Sequence, residues 1–314
     1  LVINSTAIDC LARLASPRYE ANASHPIYEM SSNNLSGQIL MKLQIQIAVL
    51  RIVLFAGLVA FNTQTVAACS RVINVPVAPT GRSVIINGEQ IEGIYPDILR
   101  SLVEKEACKF ALSAVPRARL ELLFETGRAD LLIPASRTAK RDAHGVFIPM
   151  IYNRATIISI DGNRPAITSA QDLLDKKDLK VALVRGFDYG PAYQDLIREL
   201  TRQRRLYFDS DPLSVARLLK AGIADLTIMA PSILAGVIMD DTRVQDMLDK
   251  LRFEPIPELH WGDSGAYISK KSLSAEDTAA LKDMLEQVAK SGAVWKGFQR
   301  YYPASVLKES IRPR

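Results

Sequence analysis

The chain has 314 residues and carries 39 Lys and Arg against 34 Asp and Glu, which gives a formal net charge of +5. Hydrophobic residues make up 48% and charged residues 23%, the balance of a globular protein with one large or two ordinary domains. The basic residues are scattered apart from Arg202, Arg204 and Arg205, which argues against nucleic acid as a partner. The cysteines form no CxxC motif and the histidines no cluster, so we predict no metal site and no cofactor.

The first 68 residues are interpreted as a leader that precedes the folded protein. Residues 1–40 are rich in Ser and Asn with little periodicity, which is typical of a disordered or mis-assigned upstream extension. From Met41, a short basic-ended region precedes the apolar run 52–61 and a polar end. This order predicts a secretory signal peptide over 41–68 and a periplasmic location, with an uncleaved anchor as the alternative. The apolar run is shorter than the roughly 20 residues that a bilayer span needs.

Two interpretations compete for Cys69. The segment 66–69 resembles a bacterial lipobox, in which the cysteine becomes a lipid-bearing amino terminus. Cys69 also lies just before the first predicted strand, 72–77, and Cys108 lies just before the second, 110–115. Because adjacent parallel strands begin about 4.8 Å apart, we favour a disulfide between the two cysteines.

The most informative segment of the chain is 127–141. Its apolar core, 131–133, predicts a short strand buried on both faces, as in a parallel sheet. Ser136, Thr138 and Arg141 follow the carboxyl end of this strand, where open α/β sheets bind ligands. Because arginine offers a rigid fork of donors, we expect Arg141 to hold a carboxylate while the two hydroxyls donate hydrogen bonds.

A Gly-x-Ala-Asp-Leu-x-Ile pattern begins at Gly127 and recurs at Gly222, each time after a predicted helix and over a predicted strand. Chance is one explanation, since a glycine commonly ends a helix that leads into a strand. The alternative is a pair of similar α/β lobes with a cleft between them. The second copy predicts a strand at 226–229, and cap residues at Ser169, Asp211 and Ser274 predict the starts of three helices.

The residues from Ala129 to Arg141, followed by 145–149, resemble a pattern of solute-binding protein family 3. In that pattern a strand runs into Ser-x-Thr-x-x-Arg and then into an aromatic-x-x-Pro segment. The resemblance extends roughly from Cys69 to Pro303. It implies a type II periplasmic-binding-protein-like α/β fold with two lobes joined by two hinge crossings. The predicted boundaries are 69–155 plus 256–314 for lobe 1 and 156–255 for lobe 2.

The family comprises extracytoplasmic binding components of ABC importers for amino acids and similar small polar solutes. The resemblance therefore implies a monomeric, non-enzymatic protein that binds an amino acid or related carboxylate and delivers it to a membrane ABC permease. One departure affects the solute. Amino-acid binders of the family carry an acidic residue beyond the strand at 226–229, where this chain reads Met-Ala-Pro-Ser over 229–232. This departure weakens the case for a free α-amino acid and leaves another anion or an aromatic acid open as the solute.

Three further residues are candidate contacts with a solute, each with a structural alternative. Tyr95 lies in a segment similar to the family's Gly-aromatic-x-x-Asp motif and either faces the cleft or packs against the following helix. Arg117 follows the second strand and either contacts an anion or is a surface arginine. Trp261 either stacks on the solute or stiffens the hinge.

The loop after the strand predicted at 180–184 supplies two more candidates. In the family, a glycine after this strand opens a helix whose first amides bind the solute's anionic end, and Gly186 occupies that place here. Asp188 either contacts the solute or caps the helix.

Two other functions are possible for this family. Some members are similar to periplasmic dehydratases that act on cyclic acids, and such catalysis needs a general acid or base. Asp188, Glu258 and Asp263 are the candidates for that role, but none lies in a specific motif, so no catalytic residue is predicted. The other alternative is a ligand-sensing subunit for a membrane kinase.

Overall fold

The computed structural model describes Met41, Gln46, Ile47 and residues 69–105 and 108–314. The fold belongs to the compact unit Thr65–Arg314. The predicted extension 1–40 and most of the predicted signal peptide 41–68 lie outside the described residues. Within the part of the chain that is described, no helix combines the length and hydrophobicity that crossing a membrane would require.

The first part of the unit alternates strands and helices. In chain order its elements are β1 (Ile73–Val77), β2 (Ile85–Asn87), β3 (Gln90–Glu92), α1 (Ile94–Lys105), β4 (Phe110–Ala114), α2 (Arg117–Glu125), β5 (Leu131–Ser136), α3 (Ala139–Asp142) and β6 (Gly145–Asn153). Strands β1 and β4 are adjacent and parallel, with Ile73 opposite Phe110. This pairing brings Cys69 and Cys108 together, and they form a disulfide with Cα atoms 4.8 Å apart, which confirms that prediction.

The middle part forms a separate five-stranded sheet. Its elements are β7 (Thr156–Ile160), α4 (Ala170–Asp175), β8 (Val181–Val184), α5 (Pro191–Arg202), β9 (Leu206–Asp209), α6 (Pro212–Lys220), β10 (Leu226–Met229), α7 (Pro231–Asp240), a 3-10 helix (Gln245–Lys250) and β11 (Leu251–Glu254). The strand order is β11-β7-β10-β8-β9. Strands β8, β9 and β10 are parallel, whereas β7 is antiparallel to both of its neighbours.

The last part returns to the first. Its elements are β12 (Gly262–Ser269), α8 (Ala275–Ser291), α9 (Ala293–Tyr301), α10 (Ala304–Lys308) and β13 (Ile311–Pro313). They complete a four-stranded sheet of order β13-β6-β12-β5. The chain therefore crosses between the two main sheets twice, from β6 to β7 and from β11 to β12. We call residues 69–153 and 262–314 the first lobe and residues 156–254 the second lobe.

Strand β5 is buried as predicted, but its pairing differs from the prediction. Its first five residues are buried, and it continues through Pro134 to Ser136. Its ladder partner is β12, which runs antiparallel, so the predicted parallel pairing is wrong. An apolar run reports burial on both faces of a strand but carries no information about the direction of a partner that lies far away in sequence.

The repeated Gly-x-Ala-Asp-Leu-x-Ile pattern has the same structural role in both lobes. Gly127 follows α2 and Gly222 follows α6, and both have positive φ angles, of 73° and 65°. A side chain would strain this left-handed conformation, which explains why glycine ends each helix. Each helix then leads into the equivalent strand, β5 or β10.

The aspartate of each copy fastens its strand to a neighbouring segment. The N–H of Asp130 donates to the carbonyl of Asn74, and its carboxylate accepts the N–H of Asn74 at 2.7 Å. Asp225 makes the same pair of hydrogen bonds with Lys180, also at 2.7 Å for the carboxylate. This shared geometry supports the interpretation of two similar lobes.

We predict that Asp130→Ala lowers the free energy of unfolding by about 3 kcal/mol, because Arg71 and the N–H of Asn74 then lose their shared acceptor. The matched change Asp225→Ala removes one backbone hydrogen bond at an exposed position and is expected to cost about 1 kcal/mol. Urea unfolding measures both losses, and equal losses would contradict the prediction.

Candidate functional site

A cavity of about 50 Å³ lies between the two lobes. The first lobe contributes residues from the ends of β5 and β6, and the second contributes the loop after β8 and the start of α7. Most of the polar groups on its wall are uncharged hydroxyls and an amide. These neutral polar residues are Thr80, Ser83, Tyr95, Ser136, Asn153, Tyr189, Ser232 and Ser264.

Arg141 lies on this wall and is 3% exposed, but its charge is already balanced by a neighbouring carboxylate. Its Nε and Nη2 donate to Oε2 and Oε1 of Glu121, at 3.0 and 2.8 Å. Its Nη1 donates to the carbonyl of Ser136 at 2.8 Å and to that of Asp188 at 3.4 Å. Arg141 therefore also connects the first lobe to the second.

Arg117 lies on the same wall and shares the same carboxylate. Its Nε donates to Oε1 of Glu121 at 2.9 Å, and its Nη2 lies 2.7 Å from that atom. Its Nη1 donates to the carbonyl of Pro134 at 3.0 Å. Because Arg117 is buried, the alternative that it is a surface arginine is wrong.

Glu121 was missed by the sequence reasoning, although it joins both arginines. Burial opposes its ionisation, but the charges of Arg117 and Arg141 outweigh burial and hold the pKa of Glu121 below its ordinary value. Burial by itself would lower the pKa of Arg141. The neighbouring Glu121 carboxylate outweighs burial, so the pKa of Arg141 lies above its ordinary value. The sequence did contain part of this information. Residues four apart on a helix lie on one face, so the spacing of Arg117 and Glu121 indicates that the two can pair.

The two predicted hydroxyls have different positions. The Ser136 hydroxyl lies on the cavity wall and contacts the side-chain amide of Asn153, whose Nδ2 donates to it at 3.2 Å. Thr138 is buried but is not among the lining residues. Its Oγ1 accepts the N–H of Arg141 at 3.3 Å and caps α3. Thr138 therefore positions Arg141 rather than forming the wall.

Tyr95 both packs in the core and faces the cavity, so its two predicted positions do not exclude each other. It lies in α1, is 1% exposed and packs in the hydrophobic core of the first lobe. It also lines the cavity, and its hydroxyl has no hydrogen-bond partner among the described residues. Burial raises the pKa of this phenol, so the group stays protonated and available as a donor.

The loop after β8 contributes Asp188 to the cavity but not Gly186. The Oδ1 of Asp188 accepts the N–H of Gly190 at 2.9 Å, and Gly190 rather than Asp188 is the N-cap residue of α5. The predicted capping role of Asp188 is therefore wrong. Gly186 lies instead against the backbone of Ala118 in the first lobe.

Trp261 lies in the second crossing and does not line the cavity. The guanidinium carbons of Arg154 and Arg312 lie 4.8 and 3.9 Å from its ring centre. Such cation–π contacts hold the ring in place, which supports the alternative that Trp261 stiffens the hinge.

The candidate catalytic acids do not converge. Of the three, Asp188 lines the cavity, whereas Asp263 pairs with Arg314 and Glu258 accepts the N–H of Ala170. Among the described residues, no group of three or more His, Cys, Asp and Glu is arranged to hold a metal ion.

No protein-family model matches the chain, and no curated protein matches it either. Solved structures do match. A histidine kinase sensor domain with similarity to periplasmic binding proteins is 19% identical, with 74% of this chain and 96% of that chain covered and a TM-score of 0.58. The substrate-binding protein of an amino acid ABC transporter from Streptococcus pneumoniae, bound to L-arginine, is 18% identical, with coverages of 74% and 95% and a TM-score of 0.58.

A third structure is an ancestral amino acid-binding protein described as a precursor of cyclohexadienyl dehydratase. It is 17% identical, with coverages of 74% and 95% and a TM-score of 0.57. At 17–19% identity these likenesses show the fold. The chain thus has the two-lobed, type II periplasmic-binding-protein-like α/β fold that the sequence predicted.

Proposed function

We propose that the protein binds a small polar solute between its two lobes, outside the cytoplasm, and delivers it as a monomer to a membrane ABC importer. The observation that carries this proposal is a cavity walled by hydroxyl and amide groups from both lobes. The buried Tyr95 hydroxyl adds a donor that has no partner among the described residues. Buried polar groups are normally hydrogen-bonded, so an orphaned donor on a cavity wall favours a polar occupant.

The two lobes touch on several sides of this cavity, as expected for a closed form. Arg82 of the first lobe pairs with Asp240 of α7, at 2.6 Å. The N–H of Ser232 in α7 donates to the hydroxyl of Ser310 at 2.9 Å. A solute that contacts both lobes at once gains more from this form than from an open one, so its binding favours closure.

The lining of the cavity favours binding over catalysis. The structural neighbours are binding proteins and a sensor domain, and Asp188 is the one candidate acid of the three that reaches the cavity. We therefore propose no enzymatic activity. A thermal-shift screen of the purified protein against amino acids, amides, polyols, polyamines and aromatic acids tests the proposal. Stabilisation by none of these classes would overturn it.

Gly186 lies at a close contact between the two lobes. Its φ angle is +92°, and a Cβ atom there would lie 2.8 Å from the backbone N and Cα of Ala118 in the first lobe. Gly190 offers a matched control, because its φ angle is +99° but no atom lies within 4 Å of its Cβ position.

We predict that Gly186→Ala holds the lobes apart, whereas Gly190→Ala does not. Both variants carry the strain of alanine at positive φ, about 1–3 kcal/mol, so a larger radius in Gly186→Ala alone reports the contact with Ala118. Small-angle X-ray scattering should give a larger radius of gyration for Gly186→Ala than for Gly190→Ala. Equal radii would show that closure does not depend on this contact.

We predict that Tyr95→Phe weakens solute binding without destabilising the free protein. The change removes a buried hydroxyl that is unpaired among the described residues, so stability should stay level or rise by about 1 kcal/mol. The solute-induced rise in melting temperature should fall. Tyr193→Phe is the control, because Tyr193 is equally buried and its hydroxyl has no partner in the described part of the chain, but it does not line this cavity. A full solute-induced rise in Tyr95→Phe would contradict the prediction.

A further inference from the structure

Glu121 stands between the two guanidinium groups of the cavity on the side away from the cavity itself. Arg117 and Arg141 line the central cavity, whereas Glu121 lines only a larger outer chamber of about 720 Å³ between α2 and α5, which Arg141 also borders. Its side chain is 12% exposed and is contacted by the Nε and Nη2 atoms of both arginines, at distances from 2.7 to 3.0 Å.

These contacts occupy one of the two donor edges with which an arginine can clamp a carboxylate. A bidentate clamp needs two parallel N–H groups, and Nε with Nη2 provides such a pair. In both arginines this pair already faces Glu121. The Nη1 groups are also engaged, by the carbonyls of Ser136 and Asp188 for Arg141 and by that of Pro134 for Arg117.

The charges around the cavity also cancel. Two guanidinium groups are matched by two carboxylates, because Asp188 lies on the wall and Glu121 lies directly behind it. The pKa of Glu121 is lowered, so this carboxylate is ionised at neutral pH. A carboxylate entering the cavity therefore meets no net positive charge and is repelled by Glu121 at short range, where water screens little.

We infer that Glu121 sets the charge class of the solute, which carries no net negative charge and is of the class of amides, polyols or zwitterions. This rests on the proposed function, that the cleft binds a solute. From behind the cavity wall, Glu121 occupies N–H groups with which the two arginines could otherwise clamp an anionic solute. It therefore selects against simple carboxylates rather than for them.

Pairs of acids and their amides test this inference directly. Acetate with acetamide, lactate with lactamide, and glutamate with glutamine differ by one charge at nearly constant shape. The wild-type protein should bind no acid more tightly than its amide, as measured by thermal shift and isothermal titration calorimetry. A wild-type preference for any acid of the set over its amide would overturn the inference.

Glu121→Gln keeps the shape of the side chain but leaves the two arginines with an excess positive charge. Its affinity for the acids of the set should rise at least tenfold over wild type. Glu125→Gln is the matched control, because Glu125 lies one turn later on α2 and pairs with Lys140 rather than with the two arginines. This control should leave the preference unchanged.

The outcomes separate this inference from the proposed function. If Glu121→Gln folds, by circular dichroism, and gains no affinity for acids, or if Glu125→Gln gains as much, the inference fails while solute binding by wild type stands. If Glu121→Gln does not fold, the wild-type preference between acid and amide decides. If no solute class stabilises wild type, the proposed function fails, yet a gain of acid binding in Glu121→Gln would still support the role of Glu121.

Discussion

One carboxylate, that of Glu121, is shared by two buried guanidinium groups at the boundary between the lobes. A buried charge is tolerated only where a partner with good geometry offsets its lost hydration, so each of the three groups depends on the other two. Helix α2 supplies Arg117 and Glu121, and α3 supplies Arg141. The placement of both helices at the end of β5 therefore follows from one constraint, and Arg141 extends it to the second lobe through the carbonyl of Asp188.

The two lobes approach this boundary with the same local structure. In each, a helix ends at a glycine, an aspartate fastens the next strand to its neighbour, and the loop beyond the strand faces the cleft. Ser136 ends β5 in the first lobe, and Ala230 follows β10 in the second. Ligands bind outside the carboxyl ends of strands in such sheets, and the duplicated pattern brings two of these edges to one cavity.

The cavity differs from a general anion site in how its polar groups are used. Its arginines are paired with Glu121 from behind, while the other polar groups on the wall are mostly hydroxyls, an amide and the phenol of Tyr95. An uncharged polar wall discriminates by hydrogen bonding, because each unmet donor or acceptor costs free energy when water is excluded. The same fold can thus serve a different class of solute without a change in its backbone.

The sequence by itself determined the features that depend on local patterns. Caps at Ser169, Asp211 and Ser274 begin helices as predicted, and the strand over Leu226–Met229 matches its predicted bounds. The disulfide also followed from the order of two neighbouring strands. Turn residues, caps and apolar runs act over a few residues, so their outcome can be read from spacing.

Only the tertiary structure decided which groups meet. In the structure β5 pairs with the distant strand β12, and Thr138 caps α3 by accepting the N–H of Arg141. Glu121 of α2 forms an ion pair with Arg141 of α3. Arg141 lies on the wall of the cavity, but the sequence did not indicate its partner Glu121. Contacts between residues far apart in the chain depend on how whole elements pack, and no local pattern records which buried charge will find which partner.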